Sequence, residues 1–93
     1  MREKAIPQKI EDNGRVVMTR WRFPPGSETG WHRHARDYCI VYLTPAKHSV
    51  ETKDGVREVV LAAGESYFRQ AGVEHNVVNA GENDILMVET ELK

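Results

Sequence analysis

Three histidines carry the first chemical signal in this 93-residue chain. His32 and His34 stand one residue apart in WHRHARDY, and His75 follows in YFRQAGVEHNVVN, 41 positions after His34. Side chains on an extended segment alternate with period two, so His32 and His34 share one side. Neutral imidazole is the commonest metal ligand among side chains. A lone His-x-His is weak evidence, and each of these residues alone reads as a structural histidine. Two matched stretches, each aiming histidine inward, point to a divalent metal in the mouth of a β-barrel.

The residues around them suggest what such a site would do. Tyr38 has the parity of His32 and His34, so its ring is expected to face the pocket as a neutral phenol, hydrogen-bonding a bound water or substrate. It is the candidate catalytic group. Tyr42 shares that parity deeper down, and Trp31 is either a pocket wall or part of a dimer contact. Phe68 is a further candidate wall. Arg69 has two readings: inward as a clamp for a carboxylate substrate, or outward in solvent. Cys39 points away into another core layer as a small apolar filler. Asp37 reads as a solvated loop carboxylate paired with Arg33 or Arg36, Asn79 as a brace for His75 or a turn cap, and His48 as a surface residue.

The elements that must hold these groups read as strands. Met1–Asp12 mixes charges around Ile6 and Ile10, and Pro7 suits an edge strand or arm. After the Asn13-Gly14 turn signal, Arg15–Phe23 alternates as a strand, which Pro24-Pro25-Gly26 ends. Tyr38–Thr44 is the most apolar run and reads as a central strand buried on both faces. His48–Lys53 and Val56–Leu61 flank Asp54-Gly55 as a hairpin with a type I′ turn. Ser66–Gln70, Glu74–Asn79 and Ile85–Leu92 complete the strands. Regular turn signals without a helical period argue for an all-β sandwich or barrel. The expectation is one domain spanning 1–93, with 1–12 as its arm or edge strand.

Composition narrows the classes. Lys+Arg 13 against Asp+Glu 14 leaves a formal net charge of -1 with no basic run, so nothing draws the chain to nucleic acid or anionic lipid. One cysteine excludes an internal disulfide and fits a reducing compartment. No apolar run approaches the roughly 18 residues of a membrane helix, and MREKAIPQKI lacks a signal peptide's apolar core. A soluble cytoplasmic protein without a membrane partner is expected. A chain this short buries a modest core, so a homodimer is expected too, through the N-terminal arm and the Arg15–Phe23 strand, Trp21 included.

The two stretches resemble the paired motifs of the cupin family. Gly26 is followed by five residues and then His32-Arg33-His34, while Gly64, Gly72, His75 and Asn79 stand at the spacings of the second motif. The resemblance is to the very short single-domain members. It implies a double-stranded β-helix, or jelly-roll, barrel with a metal in its mouth. Two departures are visible: Gln70 replaces a proline, and Tyr38 and Cys39 occupy the positions where the family's first motif has glutamate. The usual anionic fourth ligand is absent. The expected function is therefore a three-histidine site for iron, zinc, nickel or manganese, in an enzyme acting on a small carboxylate-type metabolite as an oxygenase or isomerase. The rival expectation is a non-catalytic binding or sensor protein for a small molecule.

Overall fold

Alternating β-branched and aromatic residues, punctuated by Gly, Pro and Asn, build two facing antiparallel sheets. The computed structural model describes residues 2–93. In chain order the strands are β1 (Ile6–Asp12), β2 (Val16–Phe23), β3 (His32–Arg33), β4 (Tyr38–Tyr42), β5 (Ala46–Thr52), β6 (Gly55–Leu61), β7 (Ser66–Arg69), β8 (Glu74–Asn79) and β9 (Ile85–Leu92). One sheet runs β1-β2-β9-β4-β7 and the other β3-β8-β5-β6. This is the double-stranded β-helix expected from the motifs. Its crossed strand order brings the first and last thirds of the chain together.

The central strands of the five-stranded sheet, β2, β9 and β4, alternate. Phe23, Ile40, Tyr42, Ile85 and Met87 point between the sheets and are buried, and Trp21 and Tyr67 pack against them. Tyr38–Thr44 is therefore not buried on both faces: β4 ends at Tyr42, Val41 is exposed, and Cys39 is half-buried on the outer side. A two-layer fold without helices leaves nothing to cover that outer side. β1 is exposed along its whole length and forms the sheet edge, where Pro7 sits opposite Trp21.

Two local expectations change. The β5–β6 hairpin pairs Thr52 with Gly55, so its loop is Lys53-Asp54, and positive φ is confined to glycine, which excludes a type I′ turn there. Gly55 takes φ 123° just after the loop instead. His48 is not on the surface. It is 1% exposed, wedged against the rings of Phe23 and Tyr42.

Candidate metal centre

The short strand β3 sets the site. It pairs with β8 so that His32 stands directly opposite His75. His34 follows one residue beyond the strand, held by its backbone N–H to the Val73 carbonyl at 2.9 Å and by its own carbonyl to the Gly72 N–H at 2.8 Å. The approach to β3 is also fixed. Gly30 has φ +88°, and its N–H donates to Asn76 Oδ1 at 2.9 Å. Asn76 in turn donates to Glu28 and Glu51 at 2.8 Å each, which ties the loop to β5.

Gly30 also decides the chemistry of His32. Its carbonyl lies 2.8 Å from His32 Nδ1 and can only accept, so Nδ1 carries the proton and Nε2 presents a lone pair. That Nε2 lies 3.0 Å from His34 Nε2, which lies 3.2 Å from His75 Nε2. Burial, then the neighbouring His32, holds His34 down at about 4, and burial with the other two histidines does the same for His75. Both are neutral at pH 7. Neutral imidazoles that converge in this way offer their Nε2 lone pairs to a common electrophile once their protons sit on Nδ1.

A metal ion fits that description. Imidazole nitrogens bind zinc at about 2.1 Å, and two ligands about 3 Å apart at that radius subtend close to a right angle. His32 and His34, and His34 and His75, are thus spaced as neighbouring ligands of one ion would be, with all three ring nitrogens within 4.8 Å of one another beside the cavity. No carboxylate joins them, so a bound divalent ion would keep its full charge.

The cavity, of about 380 Å³, opens between the sheets beside the histidines. Tyr38 lines it, buried, with its ring stacked 3.9 Å from that of His34 at an interplanar angle of 15°. Burial raises its phenol to about 12, so the hydroxyl is a protonated donor at neutral pH. Tyr42 lies deeper in the same wall. Trp31 and Phe68 lie outside the cavity. Trp31 is 51% exposed with its indole beside Glu74, and Phe68 pairs with Cys39 on the outer face. Arg69 has the inward parity of Tyr38, but its exposed guanidinium lies over the Tyr67 ring, 4.3 Å from its centroid, and donates to the Phe68 carbonyl.

Several lining residues escaped the sequence reading, and three of them bear on the chemistry. Trp21, expected at a dimer contact, faces inward, and Tyr67 and Glu89 join it. Glu89 is 9% exposed and accepts a hydrogen bond from Trp21 Nε1 at 3.3 Å. Its signal was available: Ile85, Met87, Glu89 and Glu91 share one parity in β9, and that parity leads into the core. Asn79 serves the turn, not His75, by donating to the carbonyls of Phe23 and Asn83. Asp37 accepts from the Ala71 N–H at 2.8 Å and closes the Gln70–Gly72 turn.

Comparison with known proteins agrees with this architecture. The profile of the Cupin_2 family, the cupin domain, matches residues 19–91. The chain is 51% identical over 92 residues to the beta-alanine degradation protein BauB of Pseudomonas aeruginosa, covering 99% of this chain and 97% of that protein. It is 29% identical over 80 residues to an oxalate-binding protein of Thermotoga maritima, covering 86% of this chain and 64% of that one. A crystal structure of a cupin domain from Bordetella pertussis superposes with a TM-score of 0.96 at 48% identity, over 100% of this chain and 97% of the other.

Proposed function

The chain belongs to the cupin family, and from that premise we propose that His32, His34 and His75 hold a divalent metal that binds and transforms a small carboxylate-type metabolite. The observation that carries this reading is the convergence of three imidazole Nε2 atoms, His32 to His34 at 3.0 Å and His34 to His75 at 3.2 Å, beside an open cavity. The bound ion supplies Lewis acidity toward a carboxylate or carbonyl oxygen or, as iron, reactivity with O₂. Two relatives are named for small carboxylates, one for beta-alanine degradation and one for oxalate binding.

The chain's own residues supply the rest. Gly30 holds His32 in the tautomer that offers Nε2, and Tyr38 holds the face of the His34 ring. The protonated Tyr38 hydroxyl donates to an oxygen of the ligand, while Trp21, Tyr42 and Tyr67 exclude water from its flanks. The test is elemental analysis of protein purified without a histidine tag, followed by product analysis with small amino, keto and dicarboxylic acids. Stoichiometric metal and turnover support the reading. A folded protein that refuses added metal overturns it. The absent first-motif glutamate favours a second reading, a sensor that binds the ligand through the same metal and releases it unchanged.

Tyr38→Phe separates holding the metal from using it. The phenyl ring preserves the stack on His34, so metal content stays within about twofold of the parent, while ligand affinity or turnover drops roughly tenfold or more with the lost hydrogen bond. Loss of metal in this variant would make the phenol a ligand and overturn its assignment as donor.

A homodimer is part of the same proposal, through a different surface from the one expected. Trp21, half-buried, is turned into the cavity and away from the outer face. The outer face of the five-stranded sheet instead aligns Phe68 with Cys39 and Val41 with Val88, and Phe68 and Val41 are 49% and 42% exposed. Light scattering at micromolar concentration is expected to give twice the 10.6 kDa chain mass, and Val41→Lys to give the single mass. A dimer that survives Val41→Lys assigns the contact elsewhere.

A further inference from the structure

Glu89 poses a question that the metal reading leaves open. It lies at the middle of β9, facing inward, 9% exposed, in a cavity wall. Oε1 accepts the Trp21 indole N–H at 3.3 Å. Oε2 accepts no hydrogen bond and lies 3.8 Å from His34 Nδ1. No lysine or arginine among the described residues lies within ion-pair distance of Glu89. Because His34 meets the other histidines through Nε2, Glu89 sits behind that ring, on the side away from the metal position. It is not a displaced fourth ligand.

The surroundings say what a carboxylate there could meet. Glu91, one alternation further along β9 and opposite Tyr38, lines the same cavity. Trp21, Tyr38 and Tyr67 line it with aromatic rings, which attract cations. Neither nearby guanidinium pairs with Glu89: Arg69 lies over Tyr67, and Arg33, exposed, lines the cavity on the histidine side near Gly72. A buried carboxylate with a free oxygen is costly unless a cation or donor completes it.

We propose that Glu89 recognises a protonated amine on the ligand, so that the cavity selects amino carboxylates over dicarboxylates and simple carboxylates. This rests on the metal reading for the other end of the ligand, whose carboxylate takes the metal's open positions. Glu89, with Glu91 and the Trp21 ring, then takes the ammonium. A second carboxylate in its place would be repelled by Glu89 and Glu91.

The test titrates metal-loaded protein of measured metal content with three probes of matched size: 3-aminopropanoate, propanoate and propanedioate. The amino acid is expected to bind at least about tenfold more tightly than either of the others, since a charge-assisted pair against a largely buried carboxylate replaces either nothing or a repulsion. Glu89→Gln is expected to keep its metal and lose that preference. A preference for propanedioate, or a preference for the amine unchanged in Glu89→Gln, overturns the proposal. Should the protein hold no metal, the reading beneath has failed. Titration with propylammonium then decides amine recognition alone: binding lost in Glu89→Gln supports it, and no binding to the parent overturns it.

Discussion

His75→Ala is expected to lower divalent-metal affinity at least a hundredfold and leave the fold in place. The scale follows from the ligand count, since even partners that only orient a ligand change affinity by about 10- to 100-fold. His75 is half-buried, and its neighbours in β8 hold the strand without it: Asn76 is anchored to Glu28, Glu51 and Gly30, and Val77 and Val78 are paired with β5. His32→Ala and His34→Ala are expected to match it, because the three Nε2 atoms act as one set. Elemental analysis and the melting temperature of each variant check this together. Metal retained at parental stoichiometry in folded His75→Ala protein would dissolve the centre as described.

Acid dependence follows from the same geometry, with a sign that can be worked out. His34 and His75 are held at about 4 by burial and by their neighbours, below the ordinary value of 6.5. The folded chain therefore keeps both neutral, and competent to bind metal, well below pH 6.5. In the unfolded chain they take up protons at about 6.5. Above that pH the two states bind equal numbers of protons at these sites. Below it the unfolded state binds more, so stability falls as pH drops from about 6.5 toward 4. Bound metal steepens that fall, because it is released as its ligands protonate.

Much of this was legible in the chain, and the rest failed for identifiable reasons. Histidine spacing and turn residues carried the barrel and the three-histidine cluster, because both depend on local parity and on residues with restricted backbones. Parity also carried Tyr38 and Tyr42 into the cavity. Trp31 was beyond its reach, since that residue precedes β3 in a loop where alternation does not hold. Phe68 was misplaced because a short strand offers no apolar pattern to set its phase: Tyr67 faces in and Phe68 out, and only pairing with β4 decides that. Glu89 was missed because an acidic residue near a chain end reads as solvated surface. The sheet order puts β9 between β2 and β4, at the centre of the larger sheet, which no local pattern encodes.

His48 is the sharpest reversal and the one with the largest consequence for stability. No motif claims it, and an isolated histidine between lysine and serine reads as surface. Pairing overrides this. His48 stands opposite Val59 in β6 and Asn79 in β8, and its ring lies 5.2 Å from that of Phe23 and 5.6 Å from that of Tyr42. Nδ1–H donates to the Val78 carbonyl at 3.1 Å, and Nε2 has no partner. His48→Ala leaves a ring-sized void, so a loss of about 3 kcal/mol is expected at pH 7. For a chain of this size each kcal/mol moves the melting temperature by about 4–8 °C, so the shift exceeds about 10 °C. Burial lowers the pKa of His48, which means the parent loses stability through this residue as pH drops below about 6.5. The alanine variant has no such group to protonate, so the gap between the two proteins should narrow in acid. Thermal unfolding of metal-free parent and variant at pH 7.5 and pH 5 measures both effects. A variant within about 0.5 kcal/mol of the parent at pH 7.5 would put the ring in solvent, and a gap that widens at pH 5 would mean that the folded protein favours the charged imidazole.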